Sequence, residues 1–117
     1  MVRFTNDRGT IVISGDVITT LVGSAATNCF GVKGMAARSA TDGLVHMLRK
    51  EAMGKGVLVE YNEDGTVSID LHIIIDNGVN INALSRSIIE QVKYKIAQYA
   101  GVEIKAVNVY VDSIMVD

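Results

Sequence analysis

Two imidazoles, one thiol and a few acidic side chains are the groups in this 117-residue sequence that could begin a reaction. His72 lies in the alternating run Val67–Asp76, with Asp70 two positions earlier on the same strand face, so a His–carboxylate contact within one strand is expected. Ser/His/Asp or Cys/His chemistry would also need a nucleophile on an activating turn, and no G-x-S-x-G or equivalent context occurs. His72 is therefore read as a polar residue on a solvated strand face. His46, between Val45 and Met47, reads as a surface or boundary residue. Cys29 follows an apolar stretch and reads as a small buried side chain. As the sole cysteine it has no intramolecular disulfide partner, and the Cys/His spacing of zinc sites is missing. Glu63 and Asp64 fall in a turn, which accounts for both without a catalytic cleft. No catalytic, cofactor-binding or metal-ligating residue is assigned, and the chain is not expected to be an enzyme.

Phosphate recognition has one candidate, Phe30-Gly31-Val32-Lys33-Gly34-Met35. Its G-x-x-G spelling matches the clamp loop of KH domains, where backbone amides and a basic residue meet a nucleic-acid backbone. Residues 30 to 56 carry Lys33, Arg38, Arg49, Lys50 and Lys55 against Asp42 and Glu51, a local excess of three positive charges. A small RNA-binding module using Gly31, Lys33 and Gly34 is thus the alternative reading. The simpler one is a pair of glycines that let the chain turn tightly. Over the whole chain 11 Lys and Arg stand against 13 Asp and Glu, a net charge of −2, so no global field recruits RNA or anionic lipid. Nucleic acid is not the expected partner.

The elements that would position these residues are legible from periodicity. Val67, Ile69, Leu71, Ile73 and Ile75 alternate with Ser68, Asp70, His72, Ile74 and Asp76, the pattern of a strand with one buried and one wet face. Val57, Val59 and Tyr61 repeat it with Leu58 and Glu60. A hairpin pairing Tyr61 with Val67, Val59 with Ile69 and Val57 with Leu71 keeps the odd residues together, and it leaves the loop Glu63-Asp64-Gly65 with its glycine at the left-handed position. Val107–Val111 gives a third strand and Thr10–Ile13 a short fourth. The clearest helix spans Ile81 to Ala100, with Ile81, Leu84, Ile88, Val92, Ile96 and Tyr99 on one stripe and Gly101 as its stop. An earlier helix begins near Ser14, whose hydroxyl is expected to cap it, with Val17, Ile18, Leu21, Val22, Ala25 and Ala26 as its apolar face. Leu44, Val45, Leu48 and Ala52 suggest a shorter third helix over Asp42 to Met53.

With 49% hydrophobic and 21% charged residues, neither Pro nor Trp, and no linker-like run beyond short turns, residues 1–117 read as one domain. No segment approaches the roughly 18 apolar residues of a membrane span, and the opening M-V-R-F-T-N-D lacks a signal-peptide core, so a cytoplasmic chain without direct membrane insertion is expected. The order strand, helix, insert, strand, strand, helix, strand specifies a two-layer α+β fold: a mainly antiparallel or mixed sheet with helices packed on one face, in split βαβ order. The other face is left for contacts. Leu58, Glu60, Asp70, His72, Ile74 and Tyr110 are its candidate interaction residues, with Ile74 and Tyr110 expected to add exposed apolar area.

Several stretches together resemble the alkaline-shock-protein family of Gram-positive bacteria, especially its compact YloU-like members. They are Gly9-Thr10-Ile11-Val12-Ile13-Ser14 with Val17-Ile18, Gly31-Val32-Lys33-Gly34-Met35, Asp42-Gly43-Leu44 leading to Leu48-Arg49-Lys50-Glu51, and Lys55-Gly56-Val57. Ile69 to Ile75, Gly78-Val79-Asn80-Ile81 and Val107 to Val111 complete the series, so that the resemblance covers residues 9 to 114 through order and spacing rather than any one motif. It implies a non-enzymatic cytoplasmic protein of envelope stress or homeostasis. It further implies self-association as a homo-oligomer and recruitment beneath the membrane by a membrane-anchored partner protein. A neighbouring fatty acid kinase gene, common for YloU-like members, hints at lipid metabolism. The chain lacks the extended charged tails of larger members, and it has Gly15 where many carry Pro after the capping Ser.

Overall fold

Among the residues described by the structure, a computed structural model covering 2–38, 45–47 and 56–116, nine elements follow one another. They are β1 (Val2–Asn6), β2 (Gly9–Ile13), α1 (Gly15–Thr27), β3 (Val32–Arg38), β4 (Val45–Met47), β5 (Val57–Tyr61), β6 (Val67–Asp76), α2 (Ile81–Tyr99) and β7 (Ile104–Met115). The ten-residue β6 is the spine, and its period of two decides what lies on each side. Val67, Ile69, Leu71, Ile73 and Ile75 are each at most 1% exposed.

One edge of β6 carries β7 in parallel along its whole length. The other edge is shared end to end: β5 pairs antiparallel with Val67–Leu71, and β3 pairs antiparallel with Ile73–Ile75. The β5–β6 register is the expected one, Tyr61 with Val67, Val59 with Ile69 and Val57 with Leu71. Asn62 N–H donates to Thr66 C=O at 2.9 Å, closing the three-residue loop, and Gly65 takes φ +88°. Both helices then cover the odd-numbered face. Ile18, Val22, Ala25 and Ala26 of α1 and Leu84, Ile88, Val92 and Ile96 of α2 join the β6 residues, Met35 and Val107 in one apolar core. Each large side chain so buried contributes about 1.5–3 kcal/mol. The result is the two-layer α+β fold with a mixed sheet, and β6–α2–β7 supplies the helical crossover that a parallel pair needs.

Helix α2 starts where the Asn80 side chain accepts from Ala83 N–H at 3.0 Å, and it ends where Ala100 and Gly101 N–H both donate to Ile96 C=O. Ser14 does precede α1, but its hydroxyl makes no capping bond; the first turn is closed by Val17 N–H donating to Ser14 C=O at 3.1 Å.

Other expectations are corrected. Thr10–Ile13 is a strand, yet it joins no helix-covered sheet: β2 pairs antiparallel with β1, which the sequence did not signal, as a separate two-stranded ribbon. Where the described residues meet the helix expected over Asp42 to Met53, at Val45–Met47, the chain is instead a strand paired with Ala36–Arg38 of β3, because cross-strand pairing there prevails over helical spacing. The rest of that stretch lies outside the described residues. Val17, Ile81 and Tyr99, assigned to buried stripes, are 47%, 44% and 66% exposed. They sit outside the arc that touches β6, and Tyr99 in the last turn keeps its polar tip in water.

Candidate functional site

Because both helices occupy one face of the sheet, the even-numbered residues of β6 and their partners on β5 and β7 form the opposite, outer face. The register sets Leu58 beside Asp70 and Glu60 beside Ser68 on one side of β6, and Ala106, Asn108 and Tyr110 beside Ser68, Asp70 and His72 on the other. Leu58, Glu60, Ser68, Asp70, Ala106, Asn108 and Tyr110 line a shallow depression of about 430 Å³. Thus four of the six residues expected to form an interaction surface line it, and a fifth, His72, borders it through Tyr110.

Fixed side-chain contacts hold this face. Asn108 Nδ2 donates to Asp70 Oδ1 at 2.9 Å. The His72 ring stacks on Tyr110 with centroids 4.8 Å apart and planes 12° from parallel. His72 Nδ1 lies 2.9 Å from Asp112 Oδ2. The contact expected between His72 and Asp70 is therefore replaced by one across to β7. Its cause is a bulge: Ile73 is opposite Val111 and Ile74 opposite Ser113, so Asp112 is the extra residue and its carboxylate turns to the imidazole. The alternation already sets Asp112 on the side of Asn108 and Tyr110, but its contact with His72 was not foreseen, since a one-residue register shift leaves no trace in the spacing of Val107, Val109 and Val111.

Ile74 is also corrected. It is 4% exposed, flanked in register by Gly34 and Ser113, and it offers no apolar area to a partner. Leu58 and Tyr110, 60% and 45% exposed, supply that area.

The Gly31–Gly34 stretch is no clamp loop between helices. Gly31 turns the chain at φ +102°, where an added Cβ would lie 3.0 Å from a Val79 methyl, and Val32 already begins β3. Gly34 is buried and paired with Ile74, while Lys33 bridges to Asp76 Oδ1 at 3.3 Å. Val32 N–H donates to Cys29 C=O at 3.3 Å and Gly31 C=O accepts from Asp76 N–H at 2.8 Å, so these backbone groups of the stretch are engaged within the fold.

A larger groove of about 650 Å³ lies at the far end of the sheet, between the β6–α2 turn, Phe30 and Met115. Phe30, on the loop after α1, is 96% exposed there. Phe30 opened the phosphate candidate and Gly78-Val79-Asn80 carried part of the family resemblance, but no groove between them was expected from the sequence.

As chemistry, the outer face offers an imidazole–carboxylate pair. Cys29 cannot join it, because it is 8% exposed within the helix-covered core, where its thiol donates to Ala25 C=O at 3.4 Å. Among the described residues, no group of three or more His, Cys, Asp and Glu converges as a metal site would, and no helix is long and apolar enough to cross a membrane.

Comparison with known proteins fits this geometry to a family. The uncharacterized protein Spy1614 of Streptococcus pyogenes serotype M6 is 41% identical over 98% of this chain and 95% of its own length. The uncharacterized protein YloU of Bacillus subtilis is 38% identical over 92% of this chain and 90% of its own, and YqhY of the same organism 30% over 93% and 79%. No solved structure matches. The family model of the alkaline shock proteins, described as having a "cell envelope-related function", matches residues 3–116. The chain therefore belongs to the alkaline-shock-protein family, whose function is related to the cell envelope.

Proposed function

We propose that this protein is a non-enzymatic scaffold or adaptor of envelope stress and homeostasis, acting through protein–protein contacts and self-association on the outer sheet face. The observation that carries this reading is the pre-ordered depression around Leu58 and Tyr110. Its polar groups are already fixed by Asn108–Asp70, His72–Asp112 and the His72–Tyr110 stack. Ordering side chains before contact lowers the entropic cost of binding. Exposed Leu and Tyr beside hydrogen-bonded polar groups make an apolar anchor with a polar rim. In this reading the protein works in the cytoplasm, forms homo-oligomers, and approaches the membrane through a membrane-anchored partner protein.

Static light scattering over a concentration series, with capture of a membrane-anchored protein from native cells, tests it. Mass should rise with concentration, and capture should fail for a Leu58→Asp, Tyr110→Ser variant that keeps its fold. A strict monomer that retains no membrane protein overturns the reading. The burial of Gly34 in β3 counts against the RNA alternative.

A further inference from the structure

Strand β7 is the longest in the molecule at twelve residues, bonded to β6 along its length and, among the described residues, to no strand on its other side. Alternate N–H and C=O groups along that side have no ladder partner, and only another strand satisfies such a row as a whole. The edge carries no proline, its one lysine, Lys105, stands near its start, and the Asp112 carboxylate is turned to His72. Its apolar side is also incompletely covered. Ile104, Val109 and Val111 pack against the core but stay partly exposed, and Ile114 is 46% exposed.

The order of residues along this edge indicates what completes it. On the helix-covered face β7 sets Ile104, Val107, Val109, Val111 and Ile114 opposite Val67, Ile69, Leu71, Ile73 and Ile75 in turn. The series Ile-Val-Val-Val-Ile reads alike in both directions about Val109. Its spacing does too, because the register slips at Lys105 and Asp112 leave two residues between Ile104 and Val107 and two between Val111 and Ile114. A second β7 reversed about Val109 therefore lays one slip against the other and keeps every apolar residue opposed to an apolar one. Charge sets the same direction. In-register parallel pairing would stack Lys105 on Lys105, whereas reversal sets it against Ser113 and holds the two copies of Lys105 roughly 26 Å apart.

Building on the self-association reading above, we infer that β7 of one copy pairs antiparallel with β7 of a second copy about Val109, joining the two sheets into one across a twofold axis. Ile104 of each copy lies opposite Ile114 of the other, Val107 opposite Val111, and Val109 opposite itself. On the outer face Tyr110 comes beside Asn108 of the other copy, so the two depressions adjoin. The contact is isologous: it occupies the open edge of both copies and closes as a dimer. Leu58, on the far side of β6 from β7, remains free for the face contacts of the reading above.

The test is cross-linking of the full-length chain carrying Cys29→Ser, so that each variant has one introduced thiol. Directly opposed residues of antiparallel strands have Cα atoms about 4.5–5.5 Å apart, within disulfide reach. Val109→Cys should therefore give a covalent dimer with oxidised glutathione. Ile114→Cys is the control: the position is more exposed, yet its own copy lies roughly 33 Å away along the paired strands, so it should cross-link only when mixed with Ile104→Cys. Val109→Lys, checked for fold by circular dichroism and thermal unfolding, sets like charges together on the axis and should weaken dimerisation on the order of tenfold or more in sedimentation velocity. If the unaltered protein stays monomeric at every concentration, the self-association reading falls and this inference with it. If it assembles but Val109→Cys cross-links no faster than Ile114→Cys alone, or a folded Val109→Lys dimerises as well as the unaltered protein, the edge pairing is overturned and the self-association reading stands.

Discussion

His72 Nδ1 lies 2.9 Å from Asp112 Oδ2, a contact that ties β6 to the bulge in β7 across 40 positions of sequence. The imidazole also stacks on Tyr110, so one side chain fixes two neighbours on the outer face. Replacing it with alanine removes both contacts and should cost about 2 kcal/mol in urea unfolding. His72→Phe keeps a stacking ring and loses only the hydrogen bond, so its cost should be about 1 kcal/mol. Equal losses for the two variants would show that the stack contributes nothing.

A second prediction concerns the place where β3 leaves the edge of β6 and β5 takes over. Gly56 stands at this junction, and a Cβ there would lie 2.8 Å from Ala36 C=O, 3.0 Å from Met35 Cβ and 3.1 Å from His72 C=O. Two of those neighbours are backbone, which cannot yield without opening the sheet. Gly56→Ala should therefore destabilise by about 2–3 kcal/mol in chemical denaturation. Gly78→Ala is the control. Its φ of +87° strains an alanine, but nothing lies within 4 Å of the added atom, and the cost should stay near about 1 kcal/mol.

What the sequence disclosed follows from the range of the interactions involved. The β5–β6 register was legible to the residue because a period of two and one glycine at the turn, Gly65, allow a single solution. Helix α2 was legible because Leu84, Ile88, Val92 and Ile96 repeat at steps of four. Strand β3 was not, since Gly34, Ala36 and Ala37 have little strand preference of their own, and the pairing partners of β3 on β6 lie some forty residues downstream. The candidate surface was located by face parity, yet parity alone placed Ile74 in water and could not show the bulge that brings Asp112 to His72. The Phe30 groove depends on three separate segments meeting at one end of the sheet, and no local pattern encodes that.

The turn between β5 and β6 gives a prediction about pH. Thr66 donates to Asp64 Oδ1 twice, from its hydroxyl at 2.6 Å and from its backbone N–H at 3.0 Å, and these bonds hold the Asp64 carboxyl below its ordinary range, the hydroxyl contributing most. A depressed folded-state value means that the turn gains stability above the unfolded value and loses it as pH falls through the folded one. Thr66→Val removes the hydroxyl and leaves the backbone bond. By NMR titration the Asp64 carboxyl should move up toward the ordinary range without reaching it; an unchanged midpoint would show that the hydroxyl bond does not act on the carboxylate in solution.

The two faces of the sheet should also separate stability from assembly. Leu71 is fully buried under the helices, and Leu71→Ala removes side-chain volume from a packed core, so it should cost about 2–5 kcal/mol. Leu58, 60% exposed on the outer face, touches no such core, and Leu58→Ala should stay within about 0.5 kcal/mol of the unaltered protein. Its effect should instead appear as weaker self-association in sedimentation velocity, because an exposed leucine beside Tyr110 is an anchor only when a partner covers it. Melting curves and sedimentation on the same two samples decide the matter. If Leu58→Ala melts like the unaltered protein and sediments like it at every concentration, the outer face is a solvated surface rather than a docking one. Should Leu58→Ala unfold as readily as Leu71→Ala, Leu58 would have to be packed in a second core on the outer side of the sheet.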